Sequence, residues 1–249
     1  MTRHIPNFIT LLNLLCGTIA TLFAVNGDMI PTVFFVFLGI FFDFFDGLLA
    51  RQLKVKSKLG LQLDSLADMV TSGVVPGLVM FHLLNLTVNE ASFIEISFEP
   101  LAFLVKKGSF LPYLGLLITL ASAYRLAKFN IATNQTDNFI GLPTPANAFF
   151  ILSLPLTLEF QNNDLINRII LNQWFLIFIT LLSSFLLNAN LKLIAFKKFT
   201  TTSFQENIIS YLFLFLAVIV LVVFKFVGIP LIIVMYIAFS ILSYHYFNK

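Results

Sequence analysis

Four aspartates stand in two otherwise apolar stretches. Asp43 and Asp46 lie in D-F-F-D-G-L-L-A-R; eight residues later, Asp64 and Asp68 lie in G-L-Q-L-D-S-L-A-D. A carboxylate inside a membrane helix costs at least about 2.5 kcal/mol unless a compensating charge accompanies it. The first pair is spaced i, i+3 and the second i, i+4, so each pair shares a helix face. A basic turn region from Gln52 to Gln62 brings the two helices back antiparallel, and all four acids can converge at one depth. No His or Cys occurs between residues 41 and 70. Oxygen-only ligation of this kind suits a hard cation, Mg2+ or Mn2+. Four carboxylates can support two such ions about 4 Å apart, an arrangement that clamps the oxygens of a phosphoryl transfer. Gly47 and Ala50 beside the acids, and Gly60 at the head of the second stretch, would let a ligand approach the backbone. Arg51 on the rim can grip a phosphate through two parallel hydrogen bonds. A lone Asp near a helix end is commonly just solvated, and small residues in membrane helices commonly serve packing. Four acids at helical spacing are a functional pattern.

The elements that must position them are membrane helices. Of 249 residues, 59% are hydrophobic and 11% charged, and 31 are Phe, which places the chain among multispanning membrane proteins and not soluble domains. A span needs about 20 apolar residues. Hydropathy predicts spans near 7–26, 30–51, 61–84, 110–131, 143–160, 169–188, 208–227 and 229–247, an all-α polytopic helical bundle of about eight transmembrane helices. The first run is read as a retained span, because no small-x-small cleavage site follows it. The last two are joined only through Lys225 to Pro230 and are expected to form a tight hairpin that serves packing or oligomerisation. The chain reads as one membrane domain, 1–249, with a six-helix core over 1–188 and a two-helix extension over 208–247. Segment 85–107, with Glu90, Glu95 and Glu99, is the longest stretch outside the spans, and a short surface helix is expected near Leu101–Val105.

Lys and Arg set the orientation. With the N-terminus inside, eleven of the fifteen fall on the inner side, among them Arg3, Arg51, Lys54, Lys56, Lys58, Lys197, Lys198 and Lys249. Lys106, Lys107, Arg168 and Lys225 fall outside. Both termini and the acids are then cytoplasmic. No Lys/Arg-rich arm or stacking-aromatic module points to nucleic acid. The lone Cys16 permits no intrachain disulfide.

Two further stretches carry polar residues. In P-N-F-I-T-L-L-N, Asn7, Thr10, Asn13 and then Gly17 fall on one helix face, and polar groups there need a partner, either another helix or a bound headgroup. In R-L-A-K-F-N, Arg125 and Lys128 are at i and i+3 at the depth of the acids, placed to meet anionic groups. The plainer reading is snorkelling to inner-leaflet headgroups. F-I-G-L-P-T-P-A follows at 139–146 and could be a loop that opens the fifth span, with Pro143 in its first turn.

The pattern D-x-x-D-G-x-x-A-R, eight residues, G-x-x-x-D-x-x-x-D resembles the signature of the CDP-alcohol phosphatidyltransferases, complete in residues and spacing. The P-N-x-x-T-x-x-N, R-L-A-K-F-N and F-x-G-L-P-T-P-A stretches resemble its phosphatidylserine synthase branch, so the likeness runs from Ile5 to about Asn147. It implies metal ligation by Asp43, Asp46, Asp64 and Asp68, with Asp68 also the base for the attacking alcohol. It also implies that Asp43, Gly47, Ala50, Arg51, Gly60 and Asp64 hold CDP-diacylglycerol, and that Asn13, Arg125 and Lys128 meet serine or phosphate. The expected products are a phosphodiester lipid and CMP, made by a homodimer in the cytoplasmic membrane of a bacterium. A sibling transferase using glycerol phosphate or inositol phosphate is the alternative; the glycerol-phosphate branch typically shows Arg near the position of Asn13. A cation transporter with the acids as its ion site is a more distant one.

Overall fold

A computed structural model describes residues 4–55, 57–88, 110–131, 139–161, 163–193 and 204–247. Glu90, Glu95, Glu99 and the surface helix expected near residues 101–105 lie outside these residues, as do Arg3, Lys56, Lys106, Lys107, Lys197, Lys198 and Lys249.

Helix α1 (Ile5–Asn26) is followed by α2 (Met29–Gln52) across the turn at Gly27 and Asp28, where the Asp28 N–H closes on the Phe23 carbonyl at 3.0 Å. Helix α1 carries a strip of small buried residues, Cys16, Gly17, Ala20 and Ala24, and Cys16 meets α2 at Gly39. Such strips let backbones approach, which holds helices together in lipid, where burial of apolar surface gives no drive.

Helix α3 (Lys58–Asp68) is capped by Ser57, whose Oγ accepts the Gly60 N–H at 2.9 Å. It runs into a π-helical turn, Met69–Val74, and on into α4 (Val75–Val88). The wide turn has a local cause. Pro76 carries no N–H, and in an α-helix its ring would strike the carbonyl of Ser72, four residues back. A π turn relieves that clash.

A 3-10 turn, Leu111–Leu116, leads into α5 (Leu117–Ile131); α6 (Thr144–Phe160), α7 (Asp164–Ile170) and α8 (Gln173–Asn188) follow. Then come α9 (Phe204–Phe224) and α10 (Gly228–Phe247). The expected all-helical class holds. Among the described residues the exception is a short antiparallel ladder of β1 (Phe139–Ile140) with β2 (Lys192–Leu193), Phe139 opposite Leu193. Val36, Val79, Met80, Ile118, Ile151 and Leu176 fill the centre, fully buried between α2, α4, α5, α6 and α8.

The expected count of eight spans is not confirmed. Among the described residues four helical stretches are long and apolar enough to cross a membrane, Ile5–Asn26, Met29–Gln52, Lys58–Val88 and Tyr211–Ser240, and α7 with α8, bent by 60°, make a fifth if taken as one. The expected span near 110–131 coincides with the 3-10 turn and α5 together, 111–131, and that near 143–160 with α6, 17 residues long. The fourth stretch is itself folded. The Phe213 ring lies 5.9 Å from those of Tyr236 and Phe239, whereas a straight helix would hold them about 35 Å apart. Helices α9 and α10 are therefore antiparallel, as the hairpin expectation required. Gln161 at the end of α6 pins their tip, donating to the Phe224 carbonyl and accepting the Val227 N–H, both at 3.0 Å.

Helix α4 meets the 3-10 turn backbone to backbone at Gly115. A Cβ there would lie 2.4 Å from Phe81 N and 2.9 Å from the Met80 carbonyl carbon. Gly115→Ala is expected to lower the thermal midpoint of the detergent-solubilised protein by about 2–4 °C or more. An unchanged midpoint would mean the two segments separate without cost.

Candidate active site

The antiparallel course of α2 and α3 brings Asp43, Asp46 and Asp64 together: one carboxylate oxygen from each lies within 4.8 Å of the other two. Asp46 is buried, and Asp43 and Asp64 are half-buried. The carboxyls of Asp43 and Asp64 stand within hydrogen-bonding reach of each other. Like charges at that separation are tolerable only with a proton or a cation between them. The donors are all carboxylate oxygens, the set a hard divalent cation prefers, so the cluster could hold a metal ion.

Asp68 stands one turn further along α3, half-buried and outside that group of three, yet near enough for its charge to act on Asp43. Its Oδ1 accepts a hydrogen bond from Asn13 Nδ2 at 3.4 Å.

The polar face of α1 finds its partners among the helices. Thr10 Oγ1 donates to Asp46 Oδ2 at 2.5 Å, with the Pro6 carbonyl at 3.0 Å as its other acceptor. Asn13, fully buried, meets Asp68 and also accepts from Thr71 Oγ1 at 2.8 Å. Gly17 lies flat against Thr71, and the Asn7 amide oxygen lies 3.0 Å from where a Cβ on Gly60 would sit. The face is thus a backing strip behind the acids.

The expected ligand-contacting residues divide. Gly47 has nothing within 4 Å of where its Cβ would be and borders open space beside the acids. Ala50 is half-buried, and Arg51 is exposed with its Nε donating to the Gly47 carbonyl at 2.9 Å. Gly60 instead faces Asn7 and Ser57, admitting the start of α1. Arg125 on α5 is half-buried, interacts electrostatically with Asp68, and has a buried Nε with no partner among the described residues. Lys128, one turn on, is exposed. Ser65 donates to Asn130 Oδ1 at 3.0 Å and Asn130 to Gln62 Oε1 at 3.3 Å, tying the end of α5 to α3 beside the acids.

The G-L-P-T-P stretch is a clamp. Gly141 has φ +75°, and a Cβ there would come within 2.5 Å of the Leu187 carbonyl, so glycine is required. Its N–H bonds the Leu191 carbonyl at 3.0 Å, and Leu142 N–H bonds Leu186 at 2.9 Å. Ser183 donates to Asn147 Oδ1 one turn into α6. These bonds fix the start of α6 to the end of α8.

Sequence reasoning did not find Thr71 or the Ser65–Asn130–Gln62 chain. For Thr71 a signal existed: Thr-Ser-Gly followed by Pro76 marks a place where an apolar helix departs from α geometry.

A CDP-diacylglycerol–serine O-phosphatidyltransferase of Bacillus subtilis is 33% identical over 159 residues, 62% of this chain and 77% of that protein. One of Helicobacter pylori is 30% identical over 149 residues, 59% of this chain and 55% of that protein. An archaetidylserine synthase of Methanothermobacter thermautotrophicus is 28% identical over 156 residues, 61% of this chain and 58% of that protein. The match thus spans little more than half of the latter two proteins. A family model described as CDP-alcohol phosphatidyltransferase matches residues 3–186, from α1 into α8 and across all four acids, and the chain belongs to that family.

Proposed function

We propose that the protein transfers the phosphatidyl group of CDP-diacylglycerol to the hydroxyl of L-serine, giving phosphatidylserine and CMP. The observation that carries the reading is the cluster of Asp43, Asp46 and Asp64 beside the open face at Gly47, with Asp68 adjoining it. The names of the relatives supply the donor and the acceptor.

In this reading Asp43, Asp46 and Asp64 hold a divalent cation, Mg2+ or Mn2+, with Asp68 contributing where two are bound. Bound there, the cation supplies positive charge to the diphosphate and to the departing CMP. The gap beside Gly47 and Ala50 admits the diphosphate to the helix backbone, and Arg51 meets it from the rim. A serine hydroxyl is a poor nucleophile at neutral pH and needs a positioned base. Asp68 takes its proton as the serine oxygen bonds to the lipid phosphorus. The bond from that phosphorus to CMP breaks, and CMP leaves with the electron pair. Arg125, which interacts electrostatically with Asp68 and whose Nε has no partner among the described residues, pairs with the serine carboxylate or the lipid phosphate, and Lys128 adds positive charge at the rim. The Lys and Arg distribution favours a cytoplasmic site with both termini inside, in a bacterial inner membrane. A homodimer is proposed on family likeness alone.

The test is CMP release by purified protein in mixed micelles with CDP-diacylglycerol, a divalent cation and one alcohol at a time. CMP released with serine supports the reading; release only with glycerol phosphate or inositol phosphate reassigns the acceptor. Arg125→Ala is expected to raise the KM about tenfold or more for the substrate it pairs with, serine if the partner is the carboxylate and CDP-diacylglycerol if it is the lipid phosphate. An unaltered serine KM would remove Arg125 from the acceptor site.

A further inference from the structure

Among the fully buried polar side chains to which the mechanism gives no role are Asn13 and Thr71. Both lie behind Asp68. Thr71 Oγ1 is 2.8 Å from Asn13 Oδ1 and 3.3 Å from the Asn13 backbone oxygen. The hydroxyl has one proton to give, and both acceptors belong to Asn13. With the amide oxygen turned to Thr71, the amide nitrogen faces Asp68 Oδ1 at 3.4 Å. The opposite amide orientation would set oxygen against carboxylate oxygen, two acceptors with no proton between them.

Thr71 has little freedom to move. A Cβ on Gly17 of α1 would lie 2.3 Å from its Oγ1, and one on Gly39 of α2 would lie 2.8 Å from its Cγ2. Helices α1 and α2 and the π turn therefore meet closely around this one side chain. The π turn begins at the residue after Asp68, so Asp68 and Thr71 reach the same Asn13 from one short segment.

We propose that Thr71 is a positioning residue for the transfer. Its hydroxyl fixes the Asn13 amide, which holds Asp68 Oδ1 and leaves Oδ2 as the oxygen that takes the proton of the alcohol. The inference rests on the serine-transfer reading above, and within it gives Asn13 a supporting role behind Asp68 in place of a contact with substrate.

The test uses the full chain in mixed micelles with CDP-diacylglycerol and serine, and measures kcat, KM and, without serine, the binding of CDP-diacylglycerol. Thr71→Val is expected to lower kcat about 10- to 100-fold, with CDP-diacylglycerol affinity within about twofold of wild type. Thr71→Ser, which keeps the hydroxyl, should recover most of the rate. Thr71→Val combined with Asn13→Ala should be no slower than Asn13→Ala alone, because Thr71 acts through Asn13. Thr71→Ala removes the hydroxyl without adding bulk and carries the same expectation should the Val variant not fold. Wild-type kcat in Thr71→Val or Thr71→Ala, a Ser variant as slow as Val, or a double variant slower than Asn13→Ala would each overturn the proposal. Wild-type protein that binds CDP-diacylglycerol but releases no CMP with any alcohol fails the serine reading before any variant is compared, and the inference falls with it.

Discussion

Protein carrying Asp64→Asn is expected to release CMP at least about a thousandfold more slowly than wild type, a loss of several kcal/mol of transition-state stabilisation. The substitution keeps the shape of the side chain and removes one negative charge from three that lie within 4.8 Å of one another. Asp64 is the member of the group that α3 contributes; the other two come from α2. Its loss leaves a pair on one helix face, without the second wall of the site. Chelation of divalent cations from wild-type protein should silence it in the same way, and adding back Mg2+ or Mn2+ should restore it. The check is CMP release together with a size-exclusion profile showing that the variant is folded. A folded Asp64→Asn protein within about tenfold of wild type would place the chemistry elsewhere.

Asp68→Asn should separate chemistry from binding. We expect a fall in kcat of about 10²- to 10⁴-fold, the range a general base supplies, with CDP-diacylglycerol still bound. The expectation follows from placement. Asp68 stands outside the group of three and is backed by Asn13, and a neutral amide there can still accept the Asn13 N–H while no longer accepting a proton from serine. Binding of the CDP-lipid by the purified variant, set beside single-turnover CMP release, reads both halves. Near-normal turnover would remove the base assignment, and lost binding would join Asp68 to the group of three.

The acids were legible in the sequence because charge inside an apolar helix has few explanations, and their spacing alone put each pair on a face. That the α1 face carrying Asn7, Thr10 and Asn13 needs partners was legible for the same reason. Which partners it has was not, because spacing within a helix says nothing about the helix opposite. Thr71 was hidden by a common alternative. A threonine in a membrane helix usually donates to the carbonyl four residues back, as Thr18 and Thr180 do here at 2.8 and 2.7 Å. Only the π turn and the glycines on two neighbouring helices turn Thr71 outward to Asn13. Gly60 shows the reverse. It was expected to make room for ligand, but its neighbour is Asn7. Where a span breaks or bends was not legible, because hydropathy cannot see backbone geometry. The run near 169–188 contains a break at Asn172, whose side chain caps α8 through the Trp174 and Phe175 N–H groups, and the short helix before it leaves at 60°.

Helix α2 presents two unlike faces within one turn. Asp43 and Asp46 turn toward α3, while Phe41, Phe44 and Phe45 are exposed on the outer surface that lipid would cover. A donor whose acyl chains lie along those rings can present its diphosphate to the acids without leaving the bilayer. The encounter is then a two-dimensional one. The quantity that sets the supply of donor is its mole fraction in the surface, not its concentration in the bulk. Diluting it with inert detergent at fixed bulk concentration should slow turnover as a competitive inhibitor would, and a KM for the lipid has meaning only when expressed per unit of surface.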